Sequence, residues 1–347
     1  MRVAGTLALA AVTVAATVAA APAHHSPGPG HPNWLATGGA LAGVTDAGPS
    51  NAWAVGYTST TTLIMHFNGH SWRVESRQPG AYARLLGVSA SSARGAWAVG
   101  TGHFSTAPLS ERLTGSGWRQ VPAPNPRGNT SIAGVAAITV RNVWAVGGNN
   151  RWTVIMHWNG SSWQRVHAPS PSSTGSYLQA VAARSPTNAW AVGTTSDRTL
   201  IEHWNGRGWS LSASPSPTGS PVLNGVAASS AANAWAVGGM TASGKTLILH
   251  WNGHHWRRVP SPSPRGFSVL SAVTVTSFSD AWAVGYASGK TLILHFDGRS
   301  WKRVPSPSPA SYSTLLSVSA SSPTNAWAVG SAGSKTLVLH WNGRHWG

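Results

Sequence analysis

The most regular ionisable feature of this 347-residue chain is a histidine that returns at one position of an internal repeat. The series is His66, His157, His203, His250, His295 and His340, with Arg112 at the same position of one further copy. A cluster of imidazoles could bind zinc, but repeats packed as sheets lie about 10 Å apart and a zinc–nitrogen bond is about 2.0–2.1 Å long. We therefore predict no metal and no other cofactor. We interpret each histidine as a buried residue bonded to the backbone of a neighbouring repeat.

The carboxylates are too few and too scattered to indicate catalysis. Acid–base and glycosidase mechanisms need paired carboxyl groups. The chain has only Asp46, Glu75, Glu111, Asp197, Glu202, Asp280 and Asp297, and none recurs at a useful spacing. Glu111 and Glu202 replace an aliphatic residue of a strand that should be buried, so we expect an arginine partner for each. Asp280 takes the place of a repeated asparagine and indicates a turn.

Cysteine chemistry is excluded as well, because the chain contains no cysteine. Disulfides, thiolate metal sites and cysteine nucleophiles are therefore ruled out. With no catalytic group in view, we predict that the protein is not an enzyme.

The element that must position these residues is a repeat of about 46 residues marked by the tetrapeptide Trp-Ala-Val-Gly. Its tryptophans are Trp53, Trp97, Trp144, Trp190, Trp235, Trp282 and Trp327, separated by 44, 47, 46, 45, 47 and 45 residues. A second tryptophan follows each of them, at Trp72, Trp118, Trp163, Trp209, Trp256, Trp301 and Trp346. This period, with several short apolar runs in each copy, is typical of propeller blades. The sequence predicts an all-β, seven-bladed β-propeller with four antiparallel strands per blade.

One copy, residues 222–264, indicates the order of strands within a blade. We predict strands at Leu223–Ala228, Ala234–Gly238, Lys245–Trp251 and Trp256–Pro260, with a hairpin turn at Asn252-Gly253. The first strand is rich in small residues in every copy, which places it at the crowded axis. The Pro-Ser-Pro segment after the fourth strand predicts a polyproline-II-like spacer between blades.

The repeat resembles two known families in the order Trp-Ala-Val-Gly, turn, Leu-Ile-Leu-His, x-Asn/Asp-Gly-x-x-Trp. One is the Asp-box (bacterial neuraminidase) repeat, as in propellers related to the photosystem II assembly factor. The other is the kelch repeat, in which paired glycines such as Gly238-Gly239 close the second strand. The resemblance covers residues from about 38 to 347 and implies structural roles for the motif residues. By position, the Asp-box aspartate falls on Asp297 but on Asn68, Asn159, Asn205, Asn252 and Asn342 in other blades.

Both families include enzymes, and the chain departs from them at the catalytic residues. Sialidases need an arginine cluster with a Tyr/Glu pair that is not found here. A centre like that of galactose oxidase needs a Cys-Tyr crosslink, which a chain without cysteine cannot form. The second blade departs furthest from the repeat, with Leu113–Trp118 in place of the hairpin turn.

Candidate binding residues lie where the copies differ. In a propeller, the loops from strand four to the next strand one share a face with the turns between strands two and three. The cations in these segments are Arg127, Arg151, Arg198, Lys245, Arg265, Lys290 and Lys335. Tyr82, Phe267 and Tyr312 each precede a first-strand valine by six residues, so we expect them at equivalent points around the central funnel. Aromatics beside cations suit an anionic sugar and equally a single-stranded nucleic acid; we favour the sugar.

The two ends of the chain carry further predictions. Residues 1–23 combine one cation, an apolar run and the small-residue site Ala21-Pro22-Ala23, which predicts a secretory signal peptide. A Pro/Gly/His-rich linker, residues 24–32, should follow, and then the propeller, residues 33–347. No stretch of the mature chain is predicted to span a membrane. Because the last repeat stops at Trp346-Gly347, we predict that Asn33–Thr37, with Trp34, pairs with it to close the ring.

Charge completes the functional prediction. With 24 Lys and Arg against 7 Asp and Glu, the net charge is +17, which favours anionic polymers. We predict a secreted, monomeric, non-enzymatic binding or scaffold propeller of a bacterial cell envelope, with an acidic glycan or cell-wall polymer as ligand. One alternative is an extracytoplasmic assembly factor or chaperone that docks a protein partner. The other is a propeller lyase or hydrolase.

Overall fold

Each sequence repeat folds as one small sheet. The computed structural model describes residues 38–48, 50–78, 82–102, 107–125, 128–149, 151–171 and 175–347. Blades 1 to 3 contain β1 (Ala40–Asp46), β2 (Ala52–Tyr57), β3 (Thr62–Phe67), β4 (Trp72–Ser76), β5 (Arg84–Ser92), β6 (Gly95–Thr101), β7 (Pro108–Thr114), β8 (Gly117–Gln120), β9 (Ser131–Thr139), β10 (Asn142–Gly148), β11 (Thr153–Trp158) and β12 (Trp163–Val166).

The same order continues in the second half of the chain. Blades 4 and 5 contain β13 (Ser176–Ser185), β14 (Asn188–Thr195), β15 (Arg198–Trp204), β16 (Trp209–Leu211), β17 (Pro221–Ser230), β18 (Asn233–Met240), β19 (Lys245–Trp251) and β20 (Trp256–Val259). Blades 6 and 7 contain β21 (Ser268–Ser277), β22 (Asp280–Ala287), β23 (Lys290–Phe296), β24 (Trp301–Val304), β25 (Ser313–Ser322), β26 (Asn325–Ala332) and β27 (Lys335–Trp341).

The seven sheets form a closed ring. Six have four strands in sequential antiparallel order and the last has three. The first strand of each blade contacts the first strand of the next, and β1 contacts β25. The described residues contain no helix, and therefore none with the length and hydropathy of a membrane span. The prediction of an all-β, seven-bladed propeller with the first strands innermost is confirmed.

The tetrapeptide Trp-Ala-Val-Gly is explained by packing between blades. The side chains of a strand alternate between its two faces. Trp190 and Val192 of blade 4 pack with Ala234 and Ala236 of blade 5 in one buried cluster. The Trp190 ring also meets that of Trp256 edge-on, at a centroid distance of 5.2 Å. Large side chains of one blade thus fill the space left by small ones of the next, and the repeated tryptophans are structural.

The final glycine of the motif is required by a close approach of the backbone. A Cβ atom built on Gly238 would lie 2.0 Å from the carbonyl oxygen of Val222, on the neighbouring first strand. A separation this short is a steric clash for any residue that has a side chain. The equivalent Gly100 shows the same conflict, at 1.8 Å from the carbonyl oxygen of Arg84.

The connections separate onto two faces, as predicted. On the first, which we call the loop face, Ser288 N of a two-to-three turn donates to Phe267 O of a four-to-one loop over 2.8 Å. On the second, the hairpin face, the turn between strands three and four meets the turn between strands one and two. There Trp204 Nε1 donates to Pro186 O over 2.9 Å.

The Pro-rich segments are bound to their own blade by a cluster of hydroxyls. The Thr246 hydroxyl lies 2.6 Å from Ser261 Oγ and 2.7 Å from Ser263 Oγ, and Thr246 N donates to Ser263 Oγ over 2.9 Å. We call this arrangement the threonine clasp. It recurs at Thr291 with Ser306 and Ser308 and at Thr199 with Ser214 and Ser216, which agrees with a spacer role for these segments.

Blade 7 meets blade 1 through side chains of the inner strands and through backbone contacts. Val44 N donates to Ser317 Oγ over 3.1 Å, and Gly39 N donates to Ser334 O over 2.8 Å. At the outer side of blade 7, Trp346 forms a short antiparallel bridge with Trp341. The predicted signal peptide, the linker and the pairing of Asn33–Thr37 lie outside the described residues.

Candidate functional site

Five of the six recurrent histidines, all except His203, form structural pairs within their own blade. His66 Nε2 lies 2.9 Å from Asn51 Oδ1, and its ring stacks on Trp53 at a centroid distance of 4.1 Å. Equivalent pairs are His157–Asn142, His250–Asn233 and His340–Asn325, and Asp280 replaces the asparagine beside His295. In blade 2, Arg112 instead stands over the ring of Trp97, at 5.6 Å. The predicted partner, the backbone of a neighbouring blade, was wrong, because strands two and three of one blade already bring the asparagine within reach.

Burial keeps several of these imidazoles neutral. Desolvation lowers the pKa of His157, His203 and His340. Burial, and secondarily the charge of Arg257, lowers the pKa of His250 to about 4. Among the described residues, no group of three or more His, Asp or Glu side chains could hold a metal ion. His157, His250 and His340 therefore serve as hydrogen-bonding groups within their blades, whereas the buried Nε2 atom of His203 has no hydrogen-bond partner among the described residues.

Glu111 and Glu202, which replace aliphatic residues of the third strand, are buried between blades. Glu111 and Glu202 are 1% and 0% exposed, and neither carboxyl group has a hydrogen-bond partner among the described residues. Burial raises the pKa of Glu111 to about 7 and that of Glu202 to about 8. The expected arginine partners were wrong, because these positions face an apolar layer between blades. In blade 5 the same position is held by Leu249, which packs against Trp190.

The three predicted aromatic residues occupy one blade position on the loop face. Tyr82, Phe267 and Tyr312 each stand three residues before a fully buried first-strand leucine, and they are 60%, 42% and 41% exposed. They belong to blades 2, 6 and 7. Their equivalence around the funnel agrees with the sequence interpretation, and their exposure leaves each ring partly open to a ligand.

Tyr286, which sequence reasoning missed, joins two of these aromatics into a row. Its ring centroid lies 5.9 Å from that of Phe267, with the planes nearly parallel, and 6.0 Å from that of Tyr312. We call Phe267, Tyr286 and Tyr312 the aromatic row. The signal was in the sequence, because Tyr286 directly follows a Trp-Ala-Val-Gly motif. Only Tyr57 is another aromatic at that position, and Arg84 stacks over its ring at 4.6 Å.

The loop face also gathers the predicted cations. Arg151, Arg198, Lys245, Arg265, Lys290 and Lys335 are exposed there; Arg127 lies outside the described residues. Four of them, Arg198, Lys245, Lys290 and Lys335, begin the third strand in four consecutive blades. Lys290 Nζ donates to Ala310 O over 3.1 Å.

Negative charge is nearly absent from this surface. Asp197 is the only acidic residue in the described turns and loops of the loop face. The ion pairs found within the described part of the chain are His66–Glu75, His295–Asp280 and Lys302–Asp297. None includes a loop-face cation, so the positive charge beside the aromatic row is uncompensated.

Neither a protein-family model nor a curated protein sequence matches the chain. Solved propellers match most of it at low identity. YCF48 bound to D1 peptide is 17% identical, with a TM-score of 0.60 over 91% of this chain and 98% of that one. YCF48 from Cyanidioschyzon merolae is 18% identical, with a TM-score of 0.59 over 89% and 97%.

A propeller of a different class is equally similar in shape. The WD40 propeller domain of Doa1 is 13% identical, with a TM-score of 0.62 over 86% of this chain and 92% of that one. At these identities the likeness establishes the fold alone. The resemblance to Asp-box and kelch repeats stays a prediction.

Proposed function

We propose that the protein is a non-enzymatic binding propeller that holds an anionic ligand on its loop face. The observation that carries this proposal is the aromatic row beside cations that no acidic residue neutralises. An exposed ring offers a flat apolar surface, and an unpaired cation offers a charge-assisted hydrogen bond. A ligand with both a flat apolar face and negative groups gains from both contacts.

The ligand class that best fits this combination is an acidic glycan. The faces of sugar rings can stack on Phe267 and Tyr312, while carboxylate substituents reach Lys290 or Lys335. With the signal peptide predicted for residues 1–23, we place this activity outside a bacterial cell, at the cell envelope. Nucleic acid is the less favoured polyanion for this surface, and we propose that the protein works as a monomer.

The buried groups support binding over catalysis. Glu111 and Glu202 are closed off from any substrate, and five of the six recurrent histidines are hydrogen-bonded to an asparagine or aspartate of their own blade. A propeller lyase or hydrolase would need such groups open to the funnel. That alternative is therefore the weakest of the three.

Retention on an immobilised acidic polysaccharide at low and high salt tests the proposal. We expect salt-sensitive retention that is weakened by Tyr286→Ala and by the combined change of Lys245, Lys290 and Lys335 to Glu. The matched control is Phe278→Ala, which removes an aromatic side chain that is 71% exposed on the hairpin face. If Phe278→Ala weakens retention as much as Tyr286→Ala does, the loop face is not the binding surface.

A second candidate is an extracytoplasmic assembly factor or chaperone that docks a protein partner. One observation favours it: the fold is similar over 91% of the chain to YCF48 bound to D1 peptide. Salt-resistant co-purification of one protein, lost in Tyr286→Ala and kept in Phe278→Ala, would support this candidate over the glycan.

A further inference from the structure

A groove of about 580 Å³ lies at the outer rim of blade 5, where the third and fourth strands meet the Pro-rich segment. Lys245 and Arg258 line it, and the remaining lining residues are Thr246, Val259, Pro260, Ser261 and Ser263. Lys245 is the first residue of β19, and Arg258 lies on β20, opposite Leu249. The groove is thus bounded by two cations that come from neighbouring strands.

Both cations are exposed and unpaired. Neither Lys245 nor Arg258 makes a side-chain hydrogen bond or ion pair with another described residue. No aspartate or glutamate occurs in the sequence between Glu202 and Asp280, a stretch that includes all of blade 5. An arginine fork and a lysine ammonium suit the oxygens of a carboxylate or sulfate, the arginine in bidentate fashion.

The floor of the groove is held in place by the threonine clasp of blade 5. Its hydroxyls and the backbone of Thr246 bond to one another over 2.6 to 2.9 Å. Because these polar groups are satisfied internally, the floor is preorganised, and the two cations remain as the groups that can meet an anion.

The same residues recur in blade 6. Lys290 begins β23 and Arg303 lies on β24, opposite Leu294, above the clasp formed by Thr291. Unlike Lys245, Lys290 donates one hydrogen bond, to Ala310 O, but it has no acidic partner among the described residues. Each of the other blades lacks at least one of the two cations, and blades 1 and 2 lack both. Blade 4 has Arg198 but Leu211 in the second place, blade 3 has Arg165 but Trp152 in the first, and blade 7 has Lys335 but no fourth strand there.

We propose that Lys245 with Arg258, and Lys290 with Arg303, form two copies of one anion subsite at the rims of adjacent blades. The inference rests on the proposed function and deepens it: the ligand is a linear acidic glycan with carboxylates repeated along its length, held at both subsites at once. Two linked contacts make the second binding event intramolecular, so affinity rises with chain length.

Calorimetric titration with polygalacturonate oligomers of increasing length tests this proposal. For a decamer we expect Lys245→Ala/Arg258→Ala to weaken binding about tenfold. The matched control, Arg207→Ala/Arg299→Ala, removes the same charge from two exposed turns of the hairpin face, and should change binding about twofold or less. A galacturonate dimer is too short to bridge two blades. The wild type and Lys245→Ala/Arg258→Ala should therefore bind the dimer with nearly equal affinity.

Equal weakening by the two double variants would show that net charge matters and the groove does not, and would overturn the proposal. An affinity that does not depend on oligomer length would overturn the paired use of the subsites. If Tyr286→Ala leaves binding unchanged while Lys245→Ala/Arg258→Ala weakens it, the aromatic row fails as a binding surface and the subsites stand.

A second measurement does not depend on any glycan. Acetylation rates of individual lysines in the wild-type protein can be compared in sulfate and in chloride at equal ionic strength. Sulfate should slow the modification of Lys245 more than that of Lys335. If sulfate protects Lys245 in this way but the protein does not bind polygalacturonate, the acidic glycan is refuted as the ligand and the anion subsite stands. Equal slowing at both lysines would refute the subsite.

Discussion

The Asp46 carboxylate accepts a hydrogen bond of 2.6 Å from the side-chain amide of Asn325, 279 residues later in the chain. Asn325 Oδ1 is in turn 2.7 Å from His340 Nε2. The histidine pair of blade 7 is thereby extended into blade 1. In other blades the residue at the position of Asp46 is alanine or valine, as in Ala90 and Val275, so this contact is specific to the junction that closes the ring.

Replacing Asp46 should weaken that junction. We expect Asp46→Ala to lower the free energy of unfolding by about 1.5–3 kcal/mol, because hydrogen bonds to charged groups fall in this range. Asp46→Asn keeps an acceptor oxygen and should stay closer to the wild type. Chemical denaturation measures the change, and hydrogen exchange should show it concentrated in blades 1 and 7. Identical curves for Asp46→Ala and the wild type would mean that the bond adds nothing to closure.

The buried carboxyl group of Glu202 should make stability fall with rising pH. Burial raises its pKa from 4.5 to about 8. The folded state therefore retains a proton that the unfolded state loses, and stability declines between these two values. Glu202→Leu introduces the residue found at this position in three other blades and should raise stability near pH 8 by about 1–3 kcal/mol.

The gain from Glu202→Leu should be smaller near pH 4, where the carboxyl group is protonated in the fold and largely so in the unfolded chain. Thermal unfolding at the two pH values measures the difference. Burial raises the pKa of Glu111 only to about 7. The pH range over which stability falls should therefore be narrower for Glu111 than for Glu202, and the Glu111→Leu variant tests this. A gain that is independent of pH would contradict the assignment of a buried, protonated carboxyl group.

Gly238 offers a test of whether the close approach between β17 and β18 requires a glycine. Gly238→Ala places a methyl group 2.0 Å from the carbonyl oxygen of Val222 and should destabilise the protein by about 3 kcal/mol or more. Gly208→Ala is the control, since a Cβ there meets nothing within 4 Å; its effect should be about 0.5 kcal/mol or less. Comparable losses from the two substitutions would refute the steric explanation of the motif.

Asp280 makes blade 6 sensitive to acid in a way that the other blades are not. Burial opposes its ionisation, but hydrogen bonds from His295 and Thr276 outweigh that effect and lower its pKa below 3.8. A lowered pKa adds stability above 3.8 that disappears as the pH falls through the folded value. Asp280→Asn, which restores the residue of most other blades, should therefore lose less stability than the wild type below that pH.

Acid titrations followed by tryptophan fluorescence measure this difference. The reverse change, Asn142→Asp, places a carboxylate beside His157 and should add the same acid sensitivity to blade 3. If Asp280→Asn and the wild type unfold at the same pH, the pair of Asp280 and His295 does not contribute to acid stability.

The repeat was sufficient to predict the fold, because seven copies of one apolar pattern have few ways to bury their faces other than stacking around an axis. In blade 5, β19 matches the predicted third strand, while β17 and β18 extend further than predicted. Individual partners were harder to predict. The spacing of the histidines identified their blade position but could not show that the asparagine of the same blade lies nearer than the next backbone.

Site residues were predicted in part, for a similar reason. Variation between copies pointed to Lys245 and Tyr312, which the structure places on the loop face. Tyr286 was overlooked because it adjoins the most regular motif of the repeat, where variation was not expected. The unpaired state of Glu202 depends on which side chains face it from the preceding blade, and a single sequence does not contain that information.

The threonine clasps and histidine pairs have a consequence for the order of folding. They join residues that are close in sequence: His66 and Asn51 are 15 positions apart, and Thr246 and Ser263 are 17 apart. The bonds of Asp46 and Val44 to blade 7 span 273 to 279 positions, which costs roughly 2–3 kcal/mol more in loop entropy. Each blade can therefore assemble early and by itself, and joining the last blade to the first is the slow, final event.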